Sequence, residues 1–365
     1  MACAEGVGLG YHPFHHAALL ARAHAFDFIE LPLDLYLDAA RAALLDPMDA
    51  RLREITAGKP CVWRGSALSL GSVERAGEPT PDPRVVERIQ LLMQRTGAGS
   101  YCDRIGFRCL DGADLGVPQS LPCTEVAAKW VAARAVAAGE ALGPRLLLQP
   151  VFPVAAAAGA DMAAFPRRVV ALAGCELLLD VDDLRRSAAE TEVDPAALAG
   201  RLPEARVAVL ATSGEDEADW TLLSLLAGRT AARAIVIRRT RDLFPLDAIE
   251  RAADRASKIL AHVARPDPQP PVSEDITVSE AMTDHDLTEL AALRSWQAEF
   301  IAFCLSPGSA APRGLADVTP ARRTRLATQL QTWQVWRDRI GDTHKARQIA
   351  RFLSEEPGNR TRRGG

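Results

Sequence analysis

LPCTEVAAKWVAARAVAAGEALGPRLLLQP, residues 121–150, contains a helical segment that stops on Gly143 and an aliphatic run that begins directly after it. Glycine is favoured just past a helix end, so the stop signal and the change of periodicity coincide. Helix followed by strand is the unit of an α/β protein, and the chain repeats it in both directions. The strand candidates are VGLG (7–10), FDFIELPL (26–33), KPCVWRGSAL (59–68), YCDRIGFRCL (101–110), RLLLQPVF (145–152), CELLLDVDD (175–183), ARVAVLAT (205–212) and ARAIVIRRT (232–240). Between them lie amphipathic stretches such as PDPRVVERIQLLMQRTG (81–97), with prolines near its start and apolar residues at three- and four-residue steps. Eight such repeats predict the α/β class and a TIM-type (β/α)8 barrel, whose sites lie at the C-terminal ends of the strands.

Beyond the barrel the pattern changes. After Arg265 comes PDPQPPVSED, four prolines in ten residues, an extended and semi-rigid composition. The expected organisation is a barrel over 1–265, a linker over 266–280, an all-helical extension over 281–355 and a disordered basic tail over 356–365. Thr283 opens a helix start signal, and Leu287, Leu290, Leu293, Trp296, Phe300 and Phe303 follow at helical spacing. Thr319-Pro320 marks a second start. From Ala321 onward eleven Lys/Arg stand against four acids, yet the whole chain carries a net charge of −4. The arginines there alternate with Trp333, Trp336 and Phe352, which on helices read as core rather than as base-stacking platforms, so nucleic acid is not expected as a partner.

With 365 residues and 48% hydrophobic content, the chain can bury one barrel of about 250 residues plus an appendage. The N-terminal MACAEGVGLGYH has no basic region followed by an apolar core, and no run approaches about 18 apolar residues. Neither signal peptide nor membrane span is expected, and the expected location is the cytoplasm. The seven cysteines are odd in number and include no C-x-x-C pair, which predicts free thiols in a reducing compartment. Cys102, Cys109 and Cys123 match no zinc spacing. In YHPFHH (11–16), His15 and His16 adjoin instead of sitting four apart.

The segments RGSALSLGS (64–72), LPCTEVAAKWVAARAVAAGEALGPRLLLQP and LLLDVDDL (177–184) resemble, in order and spacing, the multinuclear non-haem iron-dependent oxidases. These are TIM-barrel enzymes that modify ribosomally made peptides, and the resemblance spans roughly residues 7 to 260. It implies two or three iron ions held by His, Asp, Glu and Asn at the strand ends, hard donors suited to oxygen-activating iron. Carried over position by position, most of those ligands are missing. The histidine before the family's glycine-rich motif falls on Arg64. An acid–histidine pair at the fourth strand falls on Phe107 and Arg108. The glutamate and asparagine closing the fifth fall on Gln149 and Pro150. Two histidines of the seventh fall on Val209 and Ser213. An aspartate–histidine pair has no counterpart in GEDEADW (214–220), and the glutamate ending the eighth falls on Arg238. Only Asp180 keeps the family residue, with Asp182 and Asp183 where two asparagines are usual.

Arginine stays protonated and cannot ligate, so the resemblance implies a barrel that has lost its iron cluster. The expected mouth consists of Arg64, Arg108, Gln149, Asp180, Asp182, Asp183 and Arg238, with no metal and no catalytic residue. Three readings of the aspartates stay open: a helix cap with ion pairs to Arg185 or Arg186, a binding site opposite the arginines, and a site for one divalent metal. The expected function is a catalytically degenerate partner, scaffold or peptide-binding subunit in peptide natural-product modification, with a precursor peptide or an active oxidase as partner. LAALRSWQAEFIAFCLSPGSAAPRGL (290–315) loosely resembles the helical partner protein of these oxidases. The alternatives are a working enzyme with a rebuilt site, using one divalent metal or an aspartate base on an anionic substrate, and a metal-dependent nuclease-type barrel.

Overall fold

A computed structural model describes residues 5–41, 45–74, 79–143, 145–151, 161–190, 192–238, 246–263 and 282–305. The linker, the Thr319-Pro320 start and the basic tail lie outside the described residues. The strands are β1 (Gly6–Gly10), β2 (Phe28–Pro32), β3 (Cys61–Arg64), β4 (Ser100–Ile105), β5 (Phe107–Leu110), β6 (Ala113–Gln119), β7 (Arg145–Pro150), β8 (Glu176–Asp180), β9 (Val207–Thr212) and β10 (Ala234–Ile237). The α-helices are α1 (His16–Leu20), α2 (Leu33–Arg41), α3 (Leu45–Thr56), α4 (Pro83–Thr96), α5 (Glu125–Leu142), α6 (Ala164–Ala173), α7 (Val181–Glu190), α8 (Pro195–Ala199), α9 (Glu217–Arg229), α10 (Leu246–His262) and α11 (Asp284–Leu305). Eight strands close a parallel barrel in the order β1-β10-β9-β8-β7-β4-β3-β2. Each strand candidate from the sequence supplies one of them.

Helix ends follow their sequence signals. Asp82 caps α4 through the Arg84 amide, and Gly97 closes it at φ 65°. Thr124 caps α5 through the Ala127 amide, and Gly143 follows its last residue.

Alternation along the strands divides the side chains into two layers. Phe28, Val62, Cys102, Leu147, Leu178, Val209 and Val236 form a small apolar cluster of their own inside the barrel. Their outward neighbours join the large core beneath the helices. On β1 the inner position is Gly8, where a Cβ would lie 2.3 Å from the Phe28 ring, so that ring fills the space above β1.

The run YCDRIGFRCL, expected as one strand, is two. β4 ends at Ile105, the chain turns at Gly106, and β5 pairs antiparallel with β6 in a hairpin outside the barrel. Asp111 and Gly112 join the two strands with φ of 49° and 83°, the left-handed pair that a two-residue hairpin turn requires. A side chain at Gly106 is excluded, because its Cβ would lie 2.5 Å from the Gln119 carbonyl oxygen.

α11 covers this hairpin. Thr283 and Asp286 cap it reciprocally, each accepting from the other's amide, at 3.2 and 3.0 Å. Trp296 and Phe300 stack edge-on against Phe107. Gln297, fully buried, accepts from the Val73 amide at 3.0 Å and donates to the Gly71 carbonyl at 2.6 Å. One amide therefore satisfies both a buried backbone donor and a buried acceptor in the segment after β3. Gln297→Ala should cost about 1–3 kcal/mol in urea unfolding, since both backbone groups lose their partner, and should speed hydrogen exchange at Val73.

Candidate ligand site at the barrel mouth

Two residues beyond the inner apolar layer, the same strand faces carry Glu30 (β2), Arg64 (β3), Arg104 (β4), Gln149 (β7), Asp180 (β8) and Arg238, directly after β10. The uppermost layer of the barrel interior is therefore charged where the layer below is apolar. Gly10 occupies the equivalent place on β1, and a Cβ there would meet Arg238 at 3.1–3.2 Å. The absence of a side chain on β1 leaves room for the Arg238 stem.

Arg238 organises the layer. It is 6% exposed, and Glu30 is 3% exposed. Its Nε donates to Glu30 Oε2 at 2.7 Å and its Nη2 to Oε1 at 2.5 Å, a two-pronged pair. Its Nη1 donates to Asp180 Oδ2 at 2.5 Å. Arg64 approaches Glu30 from the other side, with Nε 3.3 Å from Oε2. The other Asp180 oxygen, Oδ1, accepts from the amides of Asp182 and Asp183, both at 3.1 Å, and so caps α7. Asp182 binds the Thr212 hydroxyl and the Ser213 amide, each at 2.9 Å, tying α7 to the end of β9. Asp183 pairs with Arg186 at 3.0 Å and accepts from Gln149 Nε2 at 3.3 Å.

Electrostatics follow from this packing. Burial opposes ionisation of Glu30, but the charges of Arg238 and Arg64 outweigh it and hold the carboxyl below its usual range. Asp180 is likewise held low against burial, by Arg238 and by the Asp183 amide. Burial and the neighbouring Asp180 charge push Asp183 up. Arg64 is pushed down by burial and by the Arg238 charge, though Glu30 opposes both.

Arg108 is corrected in position. It sits on β5, not at the end of β4, and binds Asp114 through Nε at 2.7 Å and Asp34 through Nη1 at 2.8 Å. The cation at the end of β4 is Arg104. The carboxylate beside it, Asp103, points to the opposite face, where burial pushes it up to about 7 although the Leu68 and Arg104 amides and the Tyr101 hydroxyl donate to it. Asp182 and Asp183, expected within the strand, form the first turn of α7. Sequence reading also missed Glu30, a lone acid inside the aliphatic FIELP of β2. That placement was its signal, since a carboxylate in a buried run requires a cation. At the other end of the histidine cluster, His16 bonds the Tyr11 hydroxyl at 3.0 Å and Glu54 at 2.7 Å. Cys61, Cys102, Cys109, Cys123 and Cys175 are free. Among the described residues no three His, Cys, Asp or Glu side chains are placed to hold a metal ion, and no helix is long and apolar enough to cross a membrane.

A parallel barrel with a polar upper layer defines a class of protein whose chemistry lies at the strand ends. Within it, this chain belongs to the family described as the RiPP precursor modification enzymes MbnB/TglH/ChrH, which it matches over residues 6–261. Its relatives include a UPF0276 protein of Acinetobacter baylyi, 30% identical over 60% of this chain and 72% of the relative. A UPF0276 protein of Bordetella bronchiseptica is 26% identical over 70% of this chain and 92% of its own length. Among solved structures, the 3-keto-D-glucoside 4-epimerase YcjR from E. coli overlays 70% of this chain and 100% of its own at 13% identity, with a TM-score of 0.44.

The family's iron does not fit the donor set of this mouth. The Asp180 oxygens are taken by Arg238 and two backbone amides, and the Glu30 oxygens by Arg238, with Arg64 alongside. Guanidinium groups offer no lone pair, and their charge repels a cation in a low-dielectric setting.

Two consequences are measurable. Arg238→Ala leaves Glu30 and Asp180 buried without their main counter-charge, so it should destabilise the chain by about 3–5 kcal/mol in denaturant unfolding. Glu30 and Asp180 both have native values depressed below the unfolded ones. Their contribution to stability is therefore complete above about pH 4–5, the unfolded range, and is lost as pH falls through the lower native values. Thermal melts should show a steep fall in Tm on the acid side of about pH 4, and this limb should flatten in a Glu30→Leu, Arg238→Met double variant.

Proposed function

We propose that this chain is a catalytically degenerate member of its family, acting as a partner, scaffold or peptide-binding subunit in ribosomal peptide modification. One observation carries the reading: Arg238 lies between Glu30 and Asp180 at the strand ends, so that a guanidinium engages the carboxylates a metal would need. The sequence agrees to this extent, that FPVAAAAGA (152–160), the segment after β7, contains no His, Asp or Glu. No iron or other cofactor is assigned to it. Its partners in this reading are a precursor peptide or an active oxidase of the same pathway.

The direct test is metal analysis of the full chain purified from iron-supplemented cells. The expected iron content is well below one equivalent per chain, and two or more equivalents would sink the proposal. A pull-down from the native host should recover a small precursor peptide or an active iron oxidase.

A second reading, an enzyme with an aspartate base, is favoured by Asp183, whose carboxyl is pushed up by burial and by the Asp180 charge. Loss of a measured turnover in folded Asp183→Asn would support that reading over the first.

A further inference from the structure

The upper layer of the barrel is divided unevenly. Its six side chains comprise three arginines (64, 104 and 238), two acids (Glu30 and Asp180) and Gln149. Arg238 uses all three of its nitrogens on Glu30 and Asp180. Arg64 reaches Glu30 only through Nε, at 3.3 Å and without hydrogen-bond geometry. Among the described residues, no hydrogen bond or ion pair engages the terminal nitrogens of Arg64 or any guanidinium nitrogen of Arg104. Both arginines nevertheless lie within electrostatic range of Asp180 and of each other. Arg104 is half-buried, and the Arg64 side chain is 23% exposed.

Gln149 adds an independent observation. It is 1% exposed, and its Nε2 is assigned by the bond to Asp183, a carboxylate that accepts. Its Oε1 is therefore fixed as a buried acceptor, and it has no partner. Buried acceptors of this kind cost stability unless something satisfies them. On β7, directly beside β4, Gln149 is in register with Arg104. The open terminal nitrogens of Arg64, the unengaged guanidinium of Arg104 and one acceptor without a donor thus lie on neighbouring strand ends.

We infer that Arg64 and Arg104 form a clamp for a carboxylate-bearing ligand, with Gln149 Oε1 accepting a hydrogen bond from a donor on that ligand or from a water held by it. A carboxylate matches the planar fork of arginine, and the excess of cations over acids in the layer favours an anion over a neutral guest. The same carboxylate can belong to an acidic side chain of a peptide or to a free organic acid. The inference shares with the proposed function the premise that the strand ends hold no metal. It differs in assigning the binding to Arg64 and Arg104, while Arg238 is structural.

The test uses the full chain with its iron content measured beforehand, so that failure of the degenerate reading is seen separately. Isothermal titration is run with succinate and with an N-acetylated, C-amidated pentapeptide carrying a central glutamate, against the same peptide with glutamine. Wild type should bind at least one carboxylate probe in preference to the glutamine peptide. Binding of the peptide alone marks an acidic segment as the ligand, and binding of both marks the carboxylate itself. Arg104→Gln should weaken that binding on the order of tenfold to a hundredfold, as expected for a lost charge-assisted contact. Because the Arg104 guanidinium makes no hydrogen bond or ion pair and acts on Asp180 and Asp183 only through its charge, its replacement should change Tm little. Arg64→Lys, which keeps the charge but loses the fork, should weaken binding without unfolding the protein. Absence of carboxylate binding, affinity unaltered by Arg104→Gln, or a Tm drop without loss of affinity would each overturn the clamp.

Discussion

The fold at the barrel mouth depends on one buried guanidinium. Arg238 bonds Glu30 on β2, across β1, and Asp180 on β8, across β9. Such a span is possible only where the intervening strands are low. Gly10 supplies that on β1, and Ala211, paired in register with Asp180, supplies it on β9. A single side chain thus links three strands that make no direct hydrogen bonds to one another. The cost of burying these charges is offset by multiple short contacts, since partners on both sides saturate the fork. The same contacts fix Asp180, whose remaining oxygen starts α7 and thereby positions Asp182 and Asp183.

Much of this was legible in the sequence because it rests on periodicity. Aliphatic runs marked each barrel strand, prolines marked the start of α4 and a glycine the end of α5. The register at the end of β4 was not legible in the same way. YCDRIGFRCL is apolar enough throughout to read as one strand, which carries the count past Gly106 to Arg108. What ends the strand is a steric fact, the close approach of Gly106 to the Gln119 backbone, which no local pattern announces. The Asp111-Gly112 turn did announce the hairpin, and weighing it would have moved the strand-end cation back to Arg104. Glu30 was lost for a different reason. Its chemistry is set by Arg238, some two hundred residues away, and pairing over that distance is invisible to a window of local sequence.

Membership of the family and an arginine-rich mouth are compatible because they draw on different residues. The barrel is specified by the inner apolar cluster, from Phe28 through Val236, and by the outward core beneath the helices. Neither involves the upper polar layer. Arginines in that layer leave the packing beneath intact, provided each charge finds a counter-charge or solvent. Glu30 and Asp180 meet that condition for Arg238, and α11 packs on the hairpin and on the segment after β3.

The remaining asymmetry bears most directly on what such a barrel does. A layer evolved only for stability would neutralise its cations internally, because an unpaired guanidinium near two others raises the energy of the folded state. Here one arginine is saturated while two keep terminal nitrogens open, and an acceptor between the strands is left without a donor. Guanidinium nitrogens left open beside an unsatisfied acceptor are the groups that the proposed clamp uses. In the proposed reading, the arginines that leave no donor for a cation are the groups that would receive an anion.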